Sequence, residues 1–270
     1  MSPSIACIQM TSTDQVAENL SQAKKLIEQA VQQEAKLIIL PEMFCLMGMD
    51  RVDKVKQKEK LGSGPVQDFL HEQANKHQIW IVGGTMPIEA PHEQDRVYAA
   101  CLLYNDKGER VACYNKIHLF DVSIQEEIYS ESQSICPGNE VMVVATPFGK
   151  LGLAVCYDVR FPELFRQMTE KGAEIIALPS AFTYATGAAH WDVLVRARAI
   201  ENQVYLLAAC QTGTHTNGRK TYGHSMIVNP WGELQVCLAS GLGVIVGEID
   251  LNYLHKLRKE FPVLSHQKLS

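Results

Sequence analysis

The chain has 270 residues, of which 46% are hydrophobic and 20% charged, and its formal net charge at pH 7 is −5. This length lies near the upper limit for one hydrophobic core, so we expect a single domain over residues 1–270. The composition is typical of a soluble globular protein, and the negative net charge argues against nucleic acid as a partner.

Apolar runs and cysteine spacing bear on the compartment. No apolar run approaches the ~20 residues that span a bilayer, so we expect no membrane association. The N-terminal MSPSIACIQM lacks the features of a secretory signal, and none of the eight cysteines forms a C-x-x-C pair. We therefore expect a cytoplasmic protein with free thiols and no metal site.

The first half of the chain predicts strands that alternate with helices. Asp14 is a candidate N-cap for an amphipathic helix whose apolar face includes Val16 and Ile27, and a second helix is predicted from about Pro65 to His77. The turn Asp106-Lys107-Gly108 between two apolar runs predicts a β-hairpin. The predicted strands of this half cover residues 4–10, 36–41, 79–88, 97–105 and 109–120. The basic stretch 52–60 is interrupted by acids, which favours a solvated loop or helix face.

The second half adds hairpins to the alternating pattern. Residues 141–156 predict two strands around a tight turn at 147–150, and a helix is predicted after Pro162. Further strands are predicted at 173–180, 204–210, 222–229 and 233–239, with a helix through 190–202 and a last one over 251–260. Continuous apolar strands imply sheets covered on both faces, so we expect an α/β layered fold whose strand order the periodicity leaves open.

Three chemically complementary residues stand at predicted strand exits. Cys156 ends the apolar run in GLAVCYD, Glu42 follows the strand in LIILPEMF, and Lys116 follows the strand in CYNKIHLF. Each has an ordinary alternative, as buried filler, helix-end acid or solvated lysine. A thiol, a carboxylate and an amine at three separate strand exits nevertheless favour a hydrolase that forms a covalent intermediate.

Amide cleavage by a thiol assigns a role to each group. Glu42 is predicted to accept the Cys156 proton, and Lys116 to place positive charge beside the oxyanion. The Tyr157 main-chain N–H is predicted to be a second oxyanion donor. Glu131, in YSES, is predicted to hold the lysine charged and oriented.

Three sequence blocks carry a family resemblance. LPEMF, YNKIHLFD and GLAVCYDVRFPEL resemble the motif blocks of the nitrilase superfamily, the carbon–nitrogen hydrolases. The resemblance implies a four-layer αββα sandwich that forms a homodimer or higher homo-oligomer, with no metal or cofactor. It also implies a Glu-Lys-Cys triad of Glu42, Lys116 and Cys156, with Glu131 as the family's second glutamate.

Other segments are similar to one branch of this superfamily, the deaminated-glutathione amidases. They include YGHSMIVNPWGE and the ending LRKEFPVLSHQK. This similarity implies hydrolysis of a small carboxylate-bearing amide, deaminated glutathione, to 2-oxoglutarate and Cys-Gly. An ω-amidase that cleaves 2-oxoglutaramate ranks second. A catalytically silent scaffold that binds a protein partner is the alternative of another class.

A carboxylate substrate requires an anchor, for which an arginine is suited. Arg160, one helical turn after Cys156, is a candidate, and a structural ion pair with Glu163 or with another nearby acid is an equal alternative. Phe182 and Thr183 are predicted to line the pocket, although core packing is the favoured role of Phe182. The loop 211–221 carries Arg219 and Lys220, which either reach a carboxylate of the leaving group or are simply exposed.

Overall fold

A computed structural model describes residues 3–124 and 127–268, so the ends of the predicted domain, 1–2 and 269–270, lie outside the described residues. Within the described ranges, none of the helices is both long enough and apolar enough to cross a bilayer. The α-helices of these ranges are α1 (Val16–Gln32), α2 (Arg51–Lys56), α3 (Pro65–His77), α4 (Pro162–Glu170), α5 (Tyr184–Asn202) and α6 (Leu251–Glu260).

The strands follow the predicted order along most of the chain. They are β1 (Ser4–Gln9), β2 (Leu37–Ile39), β3 (Trp80–Val82), β4 (Met86–Glu89), β5 (Val97–Tyr104), β6 (Arg110–Asn115), β7 (Asp121–Ile124), β8 (Glu127–Ser130), β9 (Val143–Thr146), β10 (Gly149–Leu153), β11 (Ile175–Ser180), β12 (Tyr205–Cys210), β13 (Thr212–Thr214), β14 (Lys220–Tyr222), β15 (Ser225–Val228), β16 (Leu234–Leu238) and β17 (Gly243–Glu248).

Two large sheets form the centre of the molecule. The first has the order β17-β1-β2-β3-β5-β4, with β6 paired to β5, and the second has the order β16-β15-β12-β11-β10-β9. Helices α1 and α3 cover the outer face of the first sheet, α5 packs on β12 of the second, and α4 packs beside α5. The inner faces meet where β1 contacts β12 and β16 contacts β17. This is the predicted αββα sandwich.

Strand β1 shows why its sequence is apolar throughout. Ile5 and Cys7 belong to the core shared by the two sheets, whereas Ala6 and Ile8 belong to the core beneath α1 and α3. All four side chains are fully buried. Since successive side chains of a strand point to opposite faces, a strand covered on both sides has no position for a polar residue facing solvent.

Strand direction brings the predicted strand exits to one edge. Strands β1, β2 and β3 are parallel to one another, and so are β10, β11 and β12. Strand β6 is antiparallel to β5, which is antiparallel to β3, so β6 runs in the same direction as β3. Residues that follow β2 and β6 therefore leave the first sheet at the same edge.

The predicted strand 79–88 is wrong in its extent, because it divides into β3 and β4. Gly84, between them, has φ +53°, and a Cβ at this position would lie 2.1 Å from the Pro41 carbonyl oxygen. The chain turns here, and β4 pairs with β5 rather than continuing β3.

The predicted N-cap of the first helix is also wrong. The capping position is Gln15, which makes no side-chain capping bond. The preceding turn is held by Asn19, which accepts from the Thr13 N–H at 2.8 Å and donates to the Thr13 carbonyl at 2.8 Å. Asp14 instead accepts from the Gln15 side chain. The turn before the helix is thus held by a residue inside the helix, a longer-range contact than N-cap patterns detect, and the Gln15 side chain does not cap the first helical turn.

Candidate active site

Cys156 lies at the end of the second sheet's β10, where a short 3₁₀ helix begins (Cys156–Arg160). Its φ is +47°, in the left-handed region that non-glycine residues rarely adopt, and its exposed fraction is 6%. The thiol lines a pocket of about 440 Å³ that Glu42, Lys116 and Glu131 also line. The structure therefore brings together the groups predicted from separate strand exits.

Lys116 lies beyond β6, and its ammonium group is buried among carboxylates. Its Nζ donates to Glu42 Oε1 at 2.8 Å and to the two Glu131 oxygens at 3.0 and 2.8 Å. The side chain is only 2% exposed. A buried ammonium is tolerated only where such partners replace water.

Glu42 follows β2 and Pro41, and both of its carboxylate oxygens have donors. Oε1 faces Lys116, and Oε2 accepts from the Ala181 main-chain N–H at 2.8 Å. Ala181 follows β11, so this bond joins the edges of the two sheets. Because both oxygens are held, the carboxylate has one fixed orientation beside the thiol.

Glu131 occupies a 3₁₀ turn (Glu131–Gln133) after β8. Besides Lys116, its Oε2 accepts from the Phe120 N–H at 2.8 Å. Glu131 thus connects the lysine to the backbone of the chain segment that follows β6, as expected of a residue that orients it.

The charges of this cluster shift its protonation equilibria. Burial alone would lower the pKa of Lys116, but Glu131 and Glu42 outweigh it and hold that pKa above its ordinary value. Burial alone would raise the pKa of Glu131, but the Lys116 charge and hydrogen bond hold it below its ordinary value. The ammonium and this carboxylate are therefore both ionised at neutral pH.

The environment of the Cys156 thiol instead favours its neutral form. Burial and the neighbouring Glu42 raise the pKa of Cys156, and these effects outweigh Lys116 and the Ala181 N–H, which lower it. The resting sulfur is therefore protonated and lines the pocket with the Glu42 side chain. Such a thiol–carboxylate pair can transfer a proton when the sulfur attacks.

Asp158 supports the turn that carries the thiol, and the sequence analysis did not single it out. This fully buried carboxylate accepts from the Val155 N–H at 2.8 Å, the Tyr114 hydroxyl at 2.7 Å and the His118 N–H at 3.0 Å. An acid two residues after the nucleophile, in CYDVR, was the available sequence signal.

A second buried network supports Glu42 from behind. The Gln211 side chain donates to the Glu42 carbonyl oxygen at 3.0 Å and to the Ser12 hydroxyl at 2.7 Å. Its Oε1 accepts from the Ser12 N–H at 3.0 Å. These residues are far apart in sequence, so no local pattern indicated the contact.

The predicted substrate-binding residues divide into two groups. Tyr157, Phe182 and Thr183 line the pocket. Phe182 also packs on Trp191 in the core, with ring centroids 4.7 Å apart, so both interpretations of this residue hold. The Thr183 hydroxyl is hydrogen-bonded to Thr186 Oγ1 at 2.7 Å.

Arg160 is not among the described residues that line the pocket, contrary to expectation. Its guanidinium lies over the rings of Tyr157 and Phe182, at 5.8 and 5.1 Å from their centroids, and 3.4 Å from the His190 ring nitrogen. The expected ion pair with Glu163 does not form either. Both rings that this arginine contacts belong to pocket-lining residues.

Three other cations among the described residues line the pocket, Arg51, Lys54 and Arg219, and of these Arg51 is exposed and donates to the Gln133 side chain. The prediction that residues 52–60 form a solvated face is wrong for Lys54, which turns inward from α2. Arg219 stands between β13 and β14, and its Nη2 donates to the Ala181 carbonyl oxygen at 2.9 Å. Lys220, its neighbour, is exposed and does not line the pocket.

Comparison with known proteins gives a consistent result. The sequence profile of the family described as carbon–nitrogen hydrolase matches residues 4–259. The human protein named deaminated glutathione amidase is 42% identical over 270 residues, which cover 98% of this chain and 82% of that protein.

Solved structures show the same fold. The NitFhit protein of Caenorhabditis elegans aligns with TM-score 0.92 and 39% identity over 99% of this chain, which spans 66% of the NitFhit chain. Nit3 of Saccharomyces cerevisiae, described as a member of branch 10 of the nitrilase superfamily, aligns with TM-score 0.87 and 32% identity, covering 97% of this chain and 94% of that one.

Proposed function

The chain belongs to the carbon–nitrogen hydrolase family and is an amidase of that family, and on this premise we propose that it works through an acyl-enzyme on Cys156. The observation that carries the proposal is the convergence of a buried thiol, a carboxylate and an ammonium on one pocket. Lys116 Nζ lies 2.8 Å from Glu42 Oε1, and Cys156 lines the same pocket as that carboxylate.

The first half-reaction forms the thioester. As the Cys156 sulfur attacks the amide carbon, its proton passes to Glu42 and the carbonyl oxygen becomes an oxyanion. The tetrahedral intermediate then collapses. The carbon–nitrogen bond breaks, and the leaving nitrogen takes the proton from Glu42. The nitrogen product then departs as the free amine.

Lys116 and the Tyr157 N–H are assigned to the oxyanion. A preorganised positive charge in a water-poor pocket stabilises developing negative charge far more than it would in bulk water. Glu131 supports this role, because its two hydrogen bonds keep the ammonium charged and fixed in place.

The second half-reaction uses water. Glu42 accepts a proton from water as the water oxygen attacks the thioester carbon. Collapse of that intermediate breaks the carbon–sulfur bond, and the proton returns from Glu42 to the Cys156 sulfur. The products are a carboxylic acid and the original thiol, so no oxidant or reductant takes part.

We assign deaminated glutathione as the substrate, with 2-oxoglutarate and Cys-Gly as products. The human relative of that name supports this assignment. An ω-amidase activity on 2-oxoglutaramate is the second candidate, since both substrates present the same acyl group to Cys156. They differ only in the leaving amine.

One experiment ranks these functions. The values of kcat/KM for deaminated glutathione and 2-oxoglutaramate are measured on one preparation, with Cys156→Ala as the inactive control. A higher value for deaminated glutathione is the expected result, and a preference for the smaller amide would reverse the assignment. Absence of turnover on both would favour a catalytically silent scaffold.

A homodimer and a cytoplasmic location complete the proposal. Large apolar side chains are exposed on and beside α5 and α6, among them Val193, Ile200, Trp231 and Phe261. Burying them against a second copy would remove this apolar surface from water. All eight cysteines are free, as in proteins of a reducing compartment. Light scattering that gives a monomer mass would contradict the dimer.

A further inference from the structure

Lys54 and Arg219, two of the cations that line the pocket, have no part in the proposed chemistry. Lys54 makes no hydrogen bond or ion pair with any described residue. Arg219 Nη2 donates to the Ala181 carbonyl oxygen, whereas Arg219 Nε is buried and has no acceptor in the described part of the chain. A buried donor without a partner is unusual in a native protein, and an anionic ligand is an acceptor that would satisfy it.

The acids that line the pocket do not supply the missing acceptor, and Asp50 among them accepts from the Val52 and Asp53 N–H groups of α2. Glu131 already holds Lys116 and the Phe120 N–H, and Glu42 already holds Lys116 and the Ala181 N–H. None of these acids forms an ion pair with Lys54 or Arg219. Lys54 and Arg219 therefore have no carboxylate partner among the described residues, and an anion that enters the pocket could bind to both.

The two cations are close enough to influence each other. Burial lowers the pKa of Lys54, and the Arg219 charge lowers it further against the opposing effect of Glu131. Holding two positive charges near one another costs free energy, which an anion between them would offset.

Arg219 is fixed in place and is not part of a loose loop. It stands in the turn of the β13–β14 hairpin, where its N–H donates to Asn217 Oδ1 at 3.0 Å and its carbonyl accepts from the His215 N–H. Asn217 in turn donates to the Gly48 carbonyl at 2.8 Å, which ties the hairpin to the segment after Glu42. The guanidinium also lies over the Tyr129 ring, 5.4 Å from its centroid.

We propose that Lys54 and Arg219 form a carboxylate subsite that holds the charged end of the acyl chain, so that the enzyme selects ω-amides of short dicarboxylic acids. The position of Arg219 supports the acyl side. It bonds to the carbonyl of Ala181, whose N–H holds Glu42, and this places the subsite beside the reaction centre. A guanidinium and an ammonium are the groups that proteins use to bind a carboxylate.

The inference rests on the proposed function, and a binding measurement separates the two. Glutarate, a dicarboxylate without a scissile amide, is titrated into the Cys156→Ala protein by calorimetry. Adding Lys54→Met or Arg219→Gln is expected to weaken glutarate binding about 10- to 100-fold, the range for loss of a charged hydrogen bond. Because no turnover is needed, this result stands even if the amidase assignment fails.

Matched variants control for general charge effects. Lys56→Met removes a lysine from the same helix, and Lys220→Gln removes the cation next to Arg219; both residues are exposed. Each is expected to leave glutarate binding unchanged. Lys54→Arg keeps the charge and is expected to retain binding within about threefold. Equal weakening by the control variants, or unchanged binding in Lys54→Met and Arg219→Gln, would overturn the subsite.

Two substrates distinguish the acyl carboxylate from one on the leaving group. Glutaramate carries its charge on the acyl chain, whereas pentanoylglycine carries it on the amine. With Cys156 intact, Lys54→Met and Arg219→Gln are expected to lower kcat/KM for glutaramate about 10- to 100-fold while changing that for pentanoylglycine little. The reverse pattern would assign the two cations to the leaving group and refute the proposal.

Discussion

Asp158 holds Val155, the residue before the nucleophile, through a hydrogen bond of 2.8 Å from the Val155 N–H to the Asp158 carboxylate. The same carboxylate binds Tyr114 and His118, which come from the first sheet's β6 and the segment after it. The strained turn at Cys156 is thereby fixed against the opposite sheet, the side from which Lys116 reaches the pocket.

Asp158→Asn is expected to displace this turn. Each carboxylate oxygen faces two groups, so an amide nitrogen in place of one oxygen leaves at least one main-chain N–H without its acceptor, at about 1–3 kcal/mol of unfolding free energy. Because Asp158 positions the nucleophile and does not touch substrate, kcat should fall about 10- to 100-fold with KM changed little. Tyr114→Phe, which removes a single donor, should give a smaller loss. A normal kcat in Asp158→Asn would exclude the positioning role.

Glu131→Gln is expected to weaken the oxyanion site without removing any reacting group. Lys116 would lose a charge that raises its pKa, so the alkaline limb of the kcat profile should move to lower pH. A pH–rate series on wild type and variant measures the shift. An unmoved alkaline limb, whatever the overall rate, would show that Glu131 does not set the charge state of Lys116.

Glu131 should also make the free energy of unfolding depend on pH in the acid range. Its pKa is lowered in the folded protein, so its contribution is fully present above its ordinary value of 4.5 and is lost as pH falls through the folded-state pKa. Urea unfolding below pH 4.5 should therefore show a steeper decline in wild type than in Glu131→Gln. Glu18→Gln, at an exposed position in α1, serves as control and should follow wild type.

Gly138 is expected to be intolerant of a side chain, because a Cβ there would lie 2.1 Å from the Asn115 carbonyl oxygen. Its N–H also donates to the Lys116 carbonyl at 2.9 Å. Gly138→Ala should push the backbone that carries Lys116 and lower both kcat and the free energy of unfolding, the latter by about 1–3 kcal/mol. In Gly243→Ala the added Cβ would meet only the end of the Leu238 side chain, so activity should be kept. Full activity in Gly138→Ala would show that this contact does not position the lysine.

The residues predicted at the site from sequence share one property, which is their place directly after an apolar strand. Glu42, Lys116 and Cys156 could be placed together because parallel strands deliver their carboxyl ends to one edge. Glu131 required the family resemblance, since no strand signal precedes it. The layered fold was predictable for the same reason, as continuous apolar strands require cover on both faces.

The residues that sequence reasoning missed depend on contacts between distant segments. Lys54 lies in a short helix within a charge-rich stretch, and only its packing against the pocket distinguishes it from solvated lysines such as Lys56. Gln211 meets Ser12 and Glu42 across the interface of the two sheets. Arg160 was predicted to face the pocket, but one helical turn of separation fixes a direction only in a regular helix. Here a strained 3₁₀ turn and the Tyr157 and Phe182 rings redirect it.

The most direct test of the proposed chemistry is mass spectrometry of the acid-quenched enzyme during turnover of deaminated glutathione. We predict that the peptide containing Cys156 carries a 2-oxoglutaryl group in thioester linkage, and that the adduct disappears when substrate is exhausted. Cys156→Ala should show neither adduct nor turnover. Turnover by Cys156→Ala, or an acyl group on another cysteine alone, would contradict the mechanism.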